Sequence, residues 1–338
     1  SPRHHREQKA TGRRQGALIR YLARRVLGAS ARLFCISLIL FVMLQVPPGG
    51  PADIFAADPA ASPEAIARIK TLWGLDRPVL VQYGIWLGKA VRGNWGNSFS
   101  EHRPVSSVVF ERIPATLLLT GSALFFSLLV GVLLGAAGAA TRHRGAQAVV
   151  QAVAVLGMSV PTFWSGMLVL LFFSVYLRWI PSGGMATIGA GFSLADRFLH
   201  LAGPAVVLGS VYVAQWARYT QAGLAESFRE DYVRTARARG VGEMMLLFKH
   251  ALPNASIPLV TVVGLEVPRL LAGAMVTEVV FAWPGLGRLL TASLLNRDYP
   301  VAMGVLMMLG AAVVLANLVT DLAYHWIDPR VRVSGAGA

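Results

Sequence analysis

The sequence predicts an all-α integral membrane protein with six transmembrane helices. Three observations lead there. Of 338 residues, 55% are hydrophobic and 14% charged, where a soluble domain carries about a quarter charged residues. Several apolar runs reach the roughly 20 helical residues that cross a hydrocarbon core. The positive charge is also distributed as one orientation of six spans requires.

The spans are read at 26–46, 114–140, 148–177, 203–223, 253–281 and 300–325. With a cytoplasmic N-terminus, residues 1–25, 141–147, 224–252 and 326–338 hold seventeen Lys/Arg and six Asp/Glu. The opposite loops hold eleven and eight. Short basic loops belong on the cytoplasmic side, so both termini are expected there. The net charge of +14 then reads as topology and needs no nucleic acid.

Residues 1–17 form a basic cytoplasmic tail and 18–46 contain the first span. Arg20, Arg24 and Arg25 precede apolar residues as in a signal peptide, but Pro47-Pro48-Gly49-Gly50-Pro51 follows without a small-x-small cleavage site. An uncleaved span is expected. Cys35, the single cysteine, lies in it and has no internal disulfide partner. The external loop, 47–113, has helix-like patches at Pro63–Leu72 and Tyr83–Ala90, enough for a small cap.

Gly131 and Gly135 form a GxxxG pair in the second span, which permits close helix packing. Pro161 in the third removes a backbone donor and predicts a bend. Enzyme signatures are missing. The four lysines, Lys9, Lys70, Lys89 and Lys249, complete no GxxxxGK[ST] phosphate loop. The histidines form no HExxH and the serines no GxSxG.

Ionisable residues within spans are costly in lipid and usually face protein or water. Glu266 and Arg269 lie well inside the fifth span at i,i+3, on one face. They read either as a mutually neutralising buried pair or as residues lining a pathway. Glu278 lies further along the same span.

The segment between the fourth and fifth spans is the most informative. Glu230 to Arg239 suits a short helix, with an i,i+4 pair between Glu230 and Arg234 and Gly240 and Gly242 as its break. A second amphiphilic run, Glu243 to His250, leads into Pro253. Ten helical residues cover only about 15 Å, so this segment lies along the membrane surface or docks into a partner.

This loop resembles the coupling motif of ABC importer permeases, EAA-x3-G-x9-I-x-L-P. Here it stands as Arg234-Thr235-Ala236, three residues, Gly240, nine residues, then His250-Ala251-Leu252-Pro253. Arg-Thr in place of Glu-Ala, and the run Asp231-Tyr232-Val233-Arg234-Thr235-Ala236-Arg237, resemble the peptide-permease variant. Gly74-Leu75-Asp76-Arg77-Pro78, Arg92-Gly93-Asn94-Trp95-Gly96-Asn97-Ser98, Ser159-x-Pro161-x-Phe163, Thr277-Glu278-x-x-Phe281-x-Trp283-Pro284-Gly285 and Arg297-Asp298-Tyr299-Pro300 agree in order. Over about 18–332 the chain resembles the B-type permease of dipeptide, oligopeptide and nickel importers, a binding-protein-dependent inner-membrane component. Arg269 departs from the small or neutral residue expected there.

The resemblance implies a methionine-importer-permease-like fold with an extra N-terminal span. A five-span core at 114–325 would contain the coupling loop 224–252, with a cytoplasmic tail at 326–338. It implies a multi-pass protein of the bacterial inner membrane, paired with a homologous second permease, two ABC ATPase subunits and an external substrate-binding protein. The chain would be non-catalytic and hold no cofactor, with ATP and magnesium on the ATPases. Glu230, Asp231, Tyr232, Arg234, Thr235, Ala236, Arg237, Gly240, Leu252 and Pro253 are the expected coupling residues. Ser159, Pro161, Glu266, Arg269, Glu278 and Trp283 are candidates for the pathway or a gate. Peptides lead as substrate, with nickel chelates, glutathione and haem as family alternatives. An ion-coupled secondary transporter is the rival class.

Overall fold

The computed structural model describes residues 24–44, 76–141, 145, 152 and 159–327. The basic tail 1–17, Pro48-Gly49, the 63–72 patch, most of 142–158 and the tail beyond Ile327 lie outside the described residues. Among the described residues, regular structure is helical apart from one isolated bridge, Asn97 to Pro104.

The helices in chain order are α1 (Arg24–Leu44), α2 (Val79–Val91), α3 (Val105–Phe110), α4 (Ile113–Ala140), α5 (Thr162–Val169), α6 (Leu194–Ser227), α7 (Asp231–Ala238), α8 (Glu243–Met245), α9 (Leu252–Val280), α10 (Leu286–Leu295) and α11 (Tyr299–Ile327). Two π-helical stretches, Leu170–Tyr176 and Leu246–Ala251, extend α5 and α8. Among the described residues, four helical stretches are long and apolar enough to cross a membrane: Arg24–Leu44, Val105–Ala140, Leu194–Ser227 and Tyr299–Thr320. The third expected span is described only over its second half. The fifth corresponds to the 29-residue α9, whose Glu266, Arg269 and Glu278 lower its hydropathy.

Two expectations change. Pro161 does not bend a continuous helix; its backbone is extended, at φ −56° and ψ 136°, and α5 starts after it. Proline lacks the N–H and also disfavours α geometry in the residue before it, so the helix is interrupted. The fourth span is longer than its apolar core. Ser193 accepts from the Asp196 N–H at 3.3 Å and starts α6 at Leu194, a side-chain cap of the kind that initiates helices.

The core is held by α4 against α6. A Cβ on Gly131 would stand 2.5 Å from the Trp216 Cβ, and one on Gly135 would stand 2.5 Å from the Ala217 carbonyl. The GxxxG pair thus allows backbone contact, as the sequence predicts. Trp216 is fully buried and donates from Nε1 to Ser127 Oγ at 3.0 Å. Among the described residues, three apolar clusters follow the bundle's length. Val105, Val109, Leu286, Leu290 and Val301 form the one nearest α3 and α10. Leu119, Leu208, Leu270 and Trp283 belong to the middle one. Ala136, Leu224, Leu247, Ala251 and Ala255 close the end that bears α7 and α8. Beside the bundle, α1 meets α2 through Ser37 Oγ and the Tyr83 hydroxyl, 2.7 Å apart.

Candidate functional site

The loop between α6 and α9 folds as a braced pair of short helices. Glu230 is the N-cap of α7, Asp231 occupies its first turn and Arg237 its last, an order that complements the helix dipole. Gly240 ends it at φ 80°. Its N–H reaches Arg237 O at 3.0 Å, and the Val241 N–H reaches Ala236 O at 3.3 Å. Those two bonds make the Schellman stop, which places glycine in the left-handed region. The Arg237 guanidinium then grips Glu243 at the start of α8 through two bonds, 2.8 and 3.0 Å.

The expected Glu230–Arg234 pair is not formed. Arg234 Nη1 lies 3.5 Å from Asp231 Oδ1 instead, because Glu230 has extended backbone outside the helix and leaves the i,i+4 row. Glu230, Asp231, Tyr232, Arg234, Thr235, Arg237, Gly240 and Pro253 are exposed, while Ala236 and Leu252 are half-buried. The inner face is apolar. Val233, Leu246, Leu247 and Ala251 are buried, and the last two pack with Ala136 of α4, Leu224 of α6 and Ala255 of α9. Met244 (69% exposed), Met245 and Phe248 are uncovered, as is Tyr232 on α7.

At the middle of α9, buried Glu266 accepts from Arg269 Nη1 at 2.8 Å and from Gln215 Nε2 of α6 at 2.9 Å. The pair expected from spacing therefore exists, but only its acid is enclosed. The Arg269 side chain is 75% exposed.

Glu278 and Trp283 sit elsewhere, wholly inside the chain's own packing. Glu278 Oε1 accepts from Thr116 Oγ1 at 2.7 Å, and Oε2 accepts from the Gly287 and Arg288 N–H groups at 2.6 and 3.1 Å. Thr116 Oγ1 accepts the Leu286 N–H at 2.8 Å. The carboxylate and hydroxyl together satisfy the N-terminus of α10, whose donors have no partner within the helix. Trp283 Nε1 donates to Ala115 O at 2.8 Å. Ser159 and Pro161 are exposed just before α5, apart from both clusters.

A model of the binding-protein-dependent transport system inner membrane component matches residues 127–333, and a model of the N-terminal region of such components matches residues 18–120. The chain belongs to this family. Among its relatives, a putative peptide permease of Brucella ovis is 41% identical over 319 residues, covering 94% of this chain and 100% of the relative. The oligopeptide transport system permease AppB of Bacillus subtilis is 36% identical, covering 92% and 99%. The glutathione transport system permease GsiC of Escherichia coli K12 is 38% identical, covering 93% and 99%. In fold, the inward-facing MetNI methionine ABC transporter is similar at TM-scores of 0.52 and 0.54 and 21% and 20% identity, covering 66% and 65% of this chain and 97% and 96% of the solved ones.

In this inner membrane component the sequence does not single out as site residues two partners of its candidates, Thr116 and Gln215, or the acid Asp298. Thr116 and Gln215 carry no spacing signal, since each meets its carboxylate across the bundle. Asp298 carried one, an acid two residues before Pro300 at a helix start. It accepts from Ser98 Oγ and Ser100 Oγ, both at 2.5 Å, and from the Ser100 N–H at 3.1 Å. Burial pushes its carboxyl up, but these serine hydroxyls and the N–H groups of Ser100 and Phe99 outweigh it and hold it below the usual value.

Proposed function

We propose that this chain is a peptide permease subunit that forms half of a translocation pathway and is driven through Glu230–Pro253. The observation that carries the reading is the helix pair. One face is seated on α4, α6 and α9 together, while the other offers Tyr232, Met244, Met245 and Phe248 among charges. Exposed apolar groups of this kind mark interaction surfaces, and a rigid pair seated on three helices transmits a displacement to all of them. The occupant is an ATPase subunit holding ATP and magnesium. ATP must favour one arrangement of the complex over the other, since equal affinity for both would shift nothing. Family membership implies ATPase and substrate-binding protein partners. The second permease, two ATPases per complex, six spans and both termini in the cytoplasm complete the proposal.

Peptide as cargo is supported by the Brucella and Bacillus relatives. The glutathione permease relative stays within that chemistry, since glutathione is itself a tripeptide. Gly240 supplies the test. Nothing lies within 4 Å of a Cβ built there, so only its φ of 80° restricts substitution. In the assembled transporter, Gly240→Val is expected to reduce ATP-driven uptake of trialanine at least tenfold while the chain still inserts. Gly240→Asn, which tolerates this backbone region, should retain most uptake. Wild-type uptake by the valine variant would refute the coupling role.

A further inference from the structure

α9 is covered on one side only. Glu266, Leu270, Ala274, Thr277 and Glu278 are buried, whereas Leu265, Arg269, Ala272, Val276 and Val279 recur at spacings of four and three and are exposed. That periodicity places the exposed set along one stripe of the helix. Four of its five members would suit lipid. Arg269 would not, because a guanidinium in hydrocarbon is expensive and such residues face a bundle interior or a water-filled cavity. It cannot snorkel either. Val280 lies eleven positions further on, about 16 Å of helix at 1.5 Å per residue, which is beyond an arginine's reach.

The guanidinium is also held ready. Nη1 bonds Glu266, which Gln215 holds from α6, and arginine has five N–H donors in a planar fork that matches a carboxylate. A fixed second acid on a partner subunit would leave two carboxylates sharing one guanidinium. A mobile acid fits better. Glu266 already offsets part of the positive charge, so an arriving carboxylate binds weakly enough to leave, as a translocation pathway requires.

We propose that Arg269 is a carboxylate-binding residue of the translocation pathway, taking the terminal carboxylate of a peptide in transit. This rests on the peptide-permease reading. The test uses the complete transporter in proteoliposomes, with its binding protein saturated by trialanine or by trialanine amide. Arg269→Met should lower trialanine uptake at least tenfold and leave amide uptake within twofold of wild type, with Arg269→Lys between. Co-purification of the second permease and ATPases should be unchanged. Undiminished trialanine uptake, or equal loss of both peptides, overturns the proposal. Loss of co-purification also overturns it and assigns the bound carboxylate to the second permease. If the wild-type transporter carries neither peptide, the peptide reading itself has failed and takes this proposal with it, an outcome the wild type reveals without any variant.

Discussion

Glu278 is buried yet keeps its polar atoms satisfied. Its two oxygens receive Thr116 and two N–H groups of α10. Glu278→Ala leaves those donors buried without an acceptor, at about 1–3 kcal/mol each. A lower thermal midpoint of the purified complex is the expected result, with Glu278→Gln less affected because one acceptor oxygen remains. Asp298 is the other residue of this kind, and its folded-state value is depressed. Its stabilisation is therefore fully present above the ordinary Asp value of about 3.9 and is lost as pH falls through the lower folded value. Hydrogen exchange at residues 98–101 should rise across that acid window in the wild type. Asp298→Asn should show fast exchange there at neutral pH and no acid transition.

Among the elements, the contact of α4 with α6 depends on glycines whose neighbours cannot retreat. Gly135 faces the Ala217 carbonyl and Thr220, so Gly135→Val must separate the helices and should yield a protease-sensitive chain. Gly121, in the same helix, has open space around its Cβ position. Gly121→Ala should leave the thermal midpoint unchanged or raise it, since alanine is better than glycine in a helix by about 0.5–1 kcal/mol. Composition alone makes these two glycines look alike. The α7–α8 brace behaves differently again. Arg237 and Glu243 are both exposed, and an exposed ion pair contributes about 0–1 kcal/mol. Arg237→Ala should therefore alter ATPase docking, read by co-purification, with little change in the chain's own thermal midpoint.

Over the whole molecule, the apolar clusters place the braced helices at one end of the bundle and α3, α10 and the Asp298 network at the other. The proposed six-span topology puts these ends on opposite sides of the membrane. Accessibility labelling of a cysteine at Gly189 should occur from outside the cell, and at Arg239 only after permeabilisation. Labelling of both from one side would remove the topology and the coupling reading with it.

Hydrophobic period, charge placement and the spacing from Ala236 through Gly240 to Leu252-Pro253 are local properties, and these were sufficient for the helical membrane class, the short helices of the coupling loop and the family. The i,i+3 relation of Glu266 and Arg269 was legible for the same reason, since helix geometry alone brings them together. The sequence did not reveal α10, whose cap comes from Glu278 and from Thr116, over 160 positions earlier in the chain. Nor could spacing say which of the midspan charges is enclosed. Period places both Glu266 and Arg269 on one face, but only the packing of α6 beside α9 buries the acid under Gln215 and leaves the arginine uncovered. Local chemistry along the chain thus determined the family to which this protein belongs, while the tertiary contacts decided that Glu266 and Glu278 are enclosed and that Arg269 is left exposed, where the carboxylate proposal places its ligand.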